Sequence, residues 1–275
     1  MKVCIIGNSL TSLALAKALI NNEIFVDIFY TKKKPSYNKT RTIGLSKSNI
    51  DYFNKYIIDI KKILWPIKKI KIFSENSGNK EIIKFEDQNS NLFSIMQNHK
   101  IYSQLTSELN KSKFFKLRKY TSLNNLNKFK HDLIINCDYD HEITKKFFSK
   151  KFEKKYDSIA LTTIINHEKL KSNNFATQVF TNKGPLAFLP MSNNKTSIVY
   201  SSRNSTNYID IEKIISKFNF NYKIKKINKV SRFELKSLNL RNYYKGNILA
   251  FGDLLHKLHP LAGQGFNMSI RDIKN

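Results

Sequence analysis

Residues 247–267 limit what this chain can fold into more than any other stretch. Asn247-Ile248-Leu249-Ala250-Phe251 is an apolar run of strand length, and Gly252-Asp253 follows at its carboxyl end. A buried strand of that kind belongs in an α/β sheet, which binds ligands beyond the carboxyl ends of its strands. Gly252 lets the backbone come close to a ligand, and Asp253 brings hydrogen-bond acceptors to the same place. Gly263-Gln264-Gly265 then opens a run of helical pattern. The unbonded first amides and positive dipole end of such a helix favour a nearby anion.

The other end of the chain fits the same class. Val3-Cys4-Ile5-Ile6 reads as a short buried strand, Leu10 to Ile20 repeats its apolar residues at helical spacing, and Ile24 to Tyr30 reads as a second strand. That is a βαβ opening. Gly7-Asn8-Ser9-Leu10-Thr11-Ser12 lies where dinucleotide folds carry Gly-x-Gly-x-x-Gly. Only Gly7, the tight-turn glycine, is kept. Ser9 stands where a glycine admits pyrophosphate, and Ser12 where one packs helix on strand. No acid follows the second strand to bind a ribose; Thr31-Lys32-Lys33-Lys34 comes instead.

Between these ends, Lys69–Phe73 and Glu81–Phe85 read as strands around a turn at Gly78, and Ile95 to Leu109 as a helix. Leu133 to Asp138 is a strand ending in a carboxylate, and Lys145–Lys155 a solvated crossover. Short strands then recur at Ser158–Ile165, Ala176–Thr181, Leu186–Pro190 and Thr196–Ser201 before a helix at Ile211–Phe218. That spacing predicts an antiparallel sheet.

The net charge of +27 raises the question of nucleic acid, but 42 of the 48 basic residues are lysine. Bidentate phosphate and guanine recognition uses arginine, so specific nucleic-acid binding is set aside. Part of the charge suits an anionic membrane surface instead. Cys4 and Cys137 fall in apolar runs and read as packed thiols in a reducing compartment. The N-terminal apolar run enters the βα pattern directly, so it reads as a strand and not a cleavable signal. No window approaches the ~20 apolar residues of a spanning helix. The expected location is the cytoplasm, peripheral to the inner membrane. Asp253, His256 and His259 do not converge as metal ligands on a helix, and Asp138, Asp140, His141 and Glu142 read as a solvated turn, so no metal is expected.

Taken in register, Gly252-Asp253, His256, His259-Pro260, Ala262-Gly263-Gln264-Gly265 and Asn267 resemble the second FAD-binding motif of the aromatic-ring flavoprotein hydroxylases, in the branch that acts on ubiquinone precursors. Arg41-Thr42-Ile43-Gly44-Leu45-Ser46 is similar to that family's Arg-x-x-Ala-Leu-Ser segment, whose arginine lies near the flavin. Gln97-Asn98 resembles its Glu-Asn turn. Asp138 matches the aspartate of its Asp-Gly motif, although Tyr139, Glu142 and Lys145 replace the usual glycine, serine and arginine. Tyr156 to Leu161, Asn166-His167-Glu168, Phe180-Thr181 and Gly184-Pro185-Leu186-Ala187-Phe188-Leu189-Pro190 follow the family pattern closely.

The resemblance implies an α/β fold: a Rossmann-like FAD-binding domain (1–68, 96–150 and 236–275) with an inserted, mainly antiparallel β-sheet substrate domain (69–95 and 151–235). It implies FAD with NADH or NADPH as co-substrate, a lipophilic aromatic substrate, and association with a membrane or a biosynthetic complex. Gly7, Ser9, Arg41, Asp138, Gly252, Asp253, Pro260, Gly263, Gln264, Gly265 and Asn267 are the implied cofactor residues. Pro260, Pro185 and Leu186 would wall the reaction space, and no side chain is singled out as an acid or base. The likeness stops at Asn275, short of the segments that follow the flavin loop in the family, so a shortened member is expected. The degenerate glycine and Asp-Gly motifs keep open a non-catalytic remnant that binds FAD weakly or not at all.

Overall fold

The computed structural model describes residues 1–31, 39–78, 80–87, 90–122, 130–203, 209–257 and 264–275. The chain opens with β1 (Lys2–Ile6), α1 (Leu10–Ile20) and β2 (Phe25–Tyr30). Next come β3 (Thr42–Ser46), α2 (Lys47–Tyr56), β4 (Trp65–Ile67), β5 (Lys69–Ser74) and β6 (Glu81–Glu86). β7 (Phe93–Gln97) runs straight into α3 (Asn98–Asn110), followed by β8 (Phe115–Lys119), β9 (Leu133–Asn136) and α4 (Glu142–Phe147). β10 (Lys151–His167) precedes β11 (Phe175–Thr181), β12 (Gly184–Ser192) and β13 (Lys195–Arg203), which form a meander whose last strand pairs back onto β10. α5 (Ile211–Phe218), β14 (Ile224–Ile227) and β15 (Ser231–Leu240) complete that region. The chain closes with β16 (Tyr244–Lys245), β17 (Ile248–Ala250), β18 (His256–Lys257) and α6 (Gln264–Lys274).

One sheet has the order β16-β17-β9-β1-β2-β8. Its pairs are parallel except for the β16–β17 hairpin. A parallel sheet must be covered on both faces, which is why β1 is apolar at successive positions. Val3, Ile5 and Ile28 face Leu13 of α1 and Leu105 and Leu109 of α3. Cys4, Ile6 and Phe29 face Ile143 and Phe148 near α4 and Leu238 and Leu240 of β15. Each such side chain contributes roughly 1.5–3 kcal/mol by leaving water.

The larger sheet has the order β18-β15-β10-β13-β12-β11-β5-β6, with β14 pairing onto β10. It is antiparallel apart from β5–β11. α5 covers one face, placing Ile211, Ile215 and Phe218 on Leu161, Leu186, Phe188 and Ile198. The α/β architecture expected from the sequence, a parallel sheet beside a mainly antiparallel one, is present. A small antiparallel sheet, β3-β7-β4, fills the space between, with Ile67 and Ile95 packed by Leu189 and Met191.

Three sequence expectations need correction. Ile95 and Met96 are strand residues, paired with Gly44 and Ile43, and the helix starts only at Asn98; a short apolar run fits either period until partners on both sides decide. The supposed crossover Lys145–Lys155 holds the end of α4 and the start of β10. Its charged residues stay at the surface while the backbone pairs with β15. A boundary at 235/236 would cut β15, which runs unbroken from Ser231 to Leu240.

Candidate cofactor cleft

The carboxyl ends of β1, β2 and β9 meet the turn after β17 around a cleft of about 810 Å³. Gly7, Asn8 and Ser9 enter it from the β1–α1 turn, Thr31 from the end of β2, Asp138 from the end of β9, and Asp253 from the turn Gly252–Leu254. Gly7 has φ +95°, its amide donates to the Phe29 carbonyl at 2.8 Å, and a Cβ there would lie 3.2 Å from the Asp138 Cβ. Glycine is therefore required by the close approach of β9.

Ser9 is the N-cap of α1: its Oγ accepts from the Ser12 amide at 3.2 Å and lies 2.9 Å from the Ser12 Oγ. The two serines that replace glycines thus hydrogen-bond to each other and close the helix end. The remaining first-turn amides of α1 are the ones a helix leaves for an anion.

Asp138 is held from several sides. Its Oδ2 accepts from the Thr31 hydroxyl at 3.3 Å and its Oδ1 from the Asp140 amide at 3.0 Å. Asn136 Oδ1 accepts from the Asp138 amide at 3.1 Å, and Thr144 donates to the Asp138 carbonyl at 2.7 Å. The carboxylate therefore reaches across to the end of β2, where the sequence lacks an acid of its own.

Gly252 has φ +66°, and a Cβ there would lie 2.7 Å from Thr11 Cγ2. The side of Gly252 on which a Cβ would stand is turned to α1, so the glycine allows close packing there. Asp253 is exposed, and its Oδ1 lies 3.8 Å from where a Gly265 Cβ would be, beside the first turn of α6. Gln264, the first residue of α6, is exposed. Asn267 points elsewhere: its amide donates to the Gly44 carbonyl at 2.7 Å, while its Oδ1 accepts from the Ser46 amide at 3.1 Å and the Asn49 amide group at 2.7 Å. That side chain fixes α6 against β3 and α2.

Arg41 is exposed outside the cleft lining, its guanidinium 5.4 Å from the Phe233 ring centroid. The Thr40 hydroxyl beside it lies 3.4 Å from those of Thr162 and Ser231, and Thr42 meets Ser197 at 3.0 Å. Pro185 is half-buried in β12 opposite Phe180. Leu186 is fully buried among the residues under α5, so it packs the covered face of the sheet. Pro260 and Gly263, with His259, lie outside the described residues.

Sequence reasoning missed Tyr120, Glu153 and Lys236, which also line the cleft. They come from strands distant in sequence and carry no motif. His141 and Glu142 were read as a solvated turn, but His141 is buried and caps α4 through Nδ1, 3.2 Å from the Ile143 amide. Its Nε2 is buried without a hydrogen-bond partner among the described residues. Burial holds the His141 pKa below its ordinary value despite the opposing pull of Asp138 and Glu142. The His141 ring meets Tyr120 edge-on at 4.3 Å, and the Tyr120 hydroxyl donates to Glu142. Burial, then Glu142, raises the Tyr120 pKa.

The cleft carries Asp138, Asp140, Glu142, Glu153 and Asp253 against Lys236, an acidic lining in a chain of net charge +27. Such a surface favours hydroxyl and amine donors and leaves phosphate to helix amides. Cys137 lies at the base, its thiol pushed up to about 12 by burial first and by Asp253 and Asp138. Burial raises Cys4 as well, so both thiols stay protonated. Among the described residues no three His, Cys, Asp or Glu side chains gather as a metal site, and no helix is long and apolar enough to cross a membrane.

A family model described as "FAD binding domain" matches residues 132–275, just over half of the chain. The Drosophila melanogaster protein "Ubiquinone biosynthesis monooxygenase COQ6, mitochondrial" is 22% identical over 98% of this chain and 72% of its own length. Its Mus musculus namesake is 26% identical over 44% of this chain and 34% of its own length. The Escherichia coli "3-demethoxyubiquinol 3-hydroxylase" is 30% identical over 35% of this chain and 27% of its own. Aligned stretches thus span about a third or less of the latter two relatives. Among solved structures, Klebsiella pneumoniae HpxO complexed with FAD and uric acid superposes with a TM-score of 0.76 at 13% identity, covering 99% of this chain and 78% of that one. Pseudomonas putida DLL-E4 p-nitrophenol 4-monooxygenase PnpA gives 0.78 at 11% identity, covering 99% and 77%. Likeness at those identities establishes the fold.

Proposed function

The chain belongs to the FAD-binding domain family of flavin-dependent monooxygenases, and from that premise we propose that it hydroxylates the aromatic ring of a lipophilic ubiquinone precursor. FAD would be the cofactor, NADH or NADPH the reductant and molecular oxygen the second substrate. The observation that carries this reading is the meeting of Gly7 and Asp253, from opposite ends of the chain, with Asp138 from its middle, on one cleft.

The residues present fit such a cofactor. The first turn of α1 offers amides to a pyrophosphate, and Asp138 and Asp253 offer acceptors to ribose and ribityl hydroxyls. FAD supplies oxygen activation, which no side chain can perform. The protein's share is binding, orientation and electrostatics. Asp253 sits beside the first turn of α6, whose dipole favours negative charge on a bound ring.

A second reading has its own observation. Carboxylates dominate the cleft lining, and they oppose a pyrophosphate that only helix amides attract. That arrangement favours weak retention of FAD, and at its limit a non-catalytic relative. The absorbance spectrum of the purified protein separates the two. Flavin bands near-stoichiometric with protein, or appearing on titration with FAD, support the hydroxylase. A protein that stays colourless after FAD is added rejects it.

A further inference from the structure

We infer that the surface formed by the end of α4, the start of β10 and the β16 edge docks on an anionic phospholipid bilayer. A depression of about 200 Å³ there is lined by Lys146, Lys150 and Lys245 together with Phe147, Phe148 and Asn242, and no carboxylate lines it. Lys145 and Arg241 are exposed beside it. These five cations have no ion-pair partner among the described residues. Lysines of β10 and β15 differ: Lys151 pairs with Glu153 at 3.2 Å and Lys236 with Glu234 at 3.1 Å.

Three large aromatic side chains stand out of the same surface. Phe152 is 62% exposed, Tyr243 48% and Tyr244 72%. The Arg241 guanidinium lies 4.4 Å from the Phe152 ring centroid. Glu153, the nearest acid on β10, lines the cofactor cleft instead. Tyrosines and a phenylalanine ringed by lysine stems match the headgroup region of a bilayer, where the rings sit at the boundary and the ammonium groups meet phosphate. A second copy of the chain is disfavoured, because a two-fold contact would oppose cations to cations. RNA is disfavoured because arginine supplies only one of the five.

Co-sedimentation with phosphatidylcholine vesicles, with and without phosphatidylglycerol, tests this without reference to flavin. Failure here and failure of the hydroxylase reading are therefore distinguishable. The protein should pellet with the anionic vesicles alone. Each basic side chain near such a surface changes partitioning about fivefold, so Lys146→Gln with Lys150→Gln and Lys245→Gln should weaken it ~100-fold. Removing the same charge elsewhere, by Lys61→Gln, Lys62→Gln and Lys100→Gln, should change it less than about threefold. Phe152→Ser with Tyr244→Ser should weaken binding while leaving net charge untouched. The proposal is overturned by absence of binding to anionic vesicles, or by equal losses in the two lysine triples. It is also overturned if the patch variants alter self-association or RNA binding and leave vesicle binding intact.

Discussion

Replacing Gly252 by alanine tests whether this glycine serves packing or ligand approach. Two costs follow from its geometry. At φ +66° an L-residue pays roughly 1–2 kcal/mol. The new methyl would also lie 2.7 Å from Thr11 Cγ2, about 1 Å inside the ~3.5–4.0 Å of ordinary carbon contact. Thr11 is buried, and its hydroxyl donates to Ser269 at 3.2 Å, so it cannot swing away freely. Such overpacking costs about 1–3 kcal/mol. Together these give a loss of about 3 kcal/mol, and for a chain of this size a fall in Tm of ~6 °C. Urea unfolding followed by circular dichroism measures the loss. The double change Gly252→Ala and Thr11→Ser removes the clashing methyl but keeps the hydroxyl, and should return about 1–2 kcal/mol of the second cost. An undiminished cost of Gly252→Ala in the Thr11→Ser background would refute the packing argument. So would unchanged stability with a large loss of FAD affinity, which would restore the ligand-approach role.

Asp253→Ala should lower FAD affinity about 10- to 100-fold in a folded protein, the loss expected for a hydrogen bond to a carboxylate, measured by flavin fluorescence. Asp27 is buried on β2 with Lys2 at 3.2 Å, Arg118 at 3.0 Å and His131 at 3.0 Å. Burial alone would raise its pKa, but the contacts to His131, Arg118 and Lys2 outweigh it and hold the carboxyl below its usual range. Its stabilising contribution is therefore complete above the unfolded carboxylate value near ~3.9 and is lost as pH falls through the lower folded value. Asp27→Asn should cost about 3 kcal/mol at neutral pH and flatten the acid limb of a stability–pH curve. Ser9→Ala removes the cap of α1 and should cost about 1 kcal/mol in the same urea assay. Cys4 and Cys137, both buried, should resist a thiol reagent in the native protein and react fully after unfolding; fast native labelling would contradict their packing.

The regular elements at the two ends were legible because their apolar periods are long and their neighbours punctuate them. Leu10–Ile20 and Ile211–Phe218 are helices over the spans the periodicity gives. Asp138 and Asp253 were legible as carboxylates at strand ends. What could not be read was the side on which a residue faces. Asn267 belongs to a motif, yet its polar atoms hold β3 and α2, and Leu186 belongs to another, yet lies under α5. The first direction depends on a contact 223 positions away in the chain and the second on the helix that follows the meander. The acidic character of the cleft was hidden because Glu142 reads as part of a solvated turn and Glu153 as part of a charged crossover, while the fold brings that helix and strand to one cleft.

The order β16-β17-β9-β1-β2-β8 also bears on the birth of the chain at the ribosome. β9 pairs with β17, Ile134 opposite Ile248 and Ile135 opposite Leu249. The strand that must cover the outer edge of β9 is thus translated on the order of a hundred residues later, a delay of roughly ten seconds. Throughout it, an apolar parallel edge stands open beside an exposed polar backbone, the kind of surface on which nascent chains pair wrongly. Newly made protein should accordingly lean on chaperones until β17 emerges, and a ribosome stalled before Asn247 should hold a protease-sensitive chain despite a complete β1–α1–β2 unit.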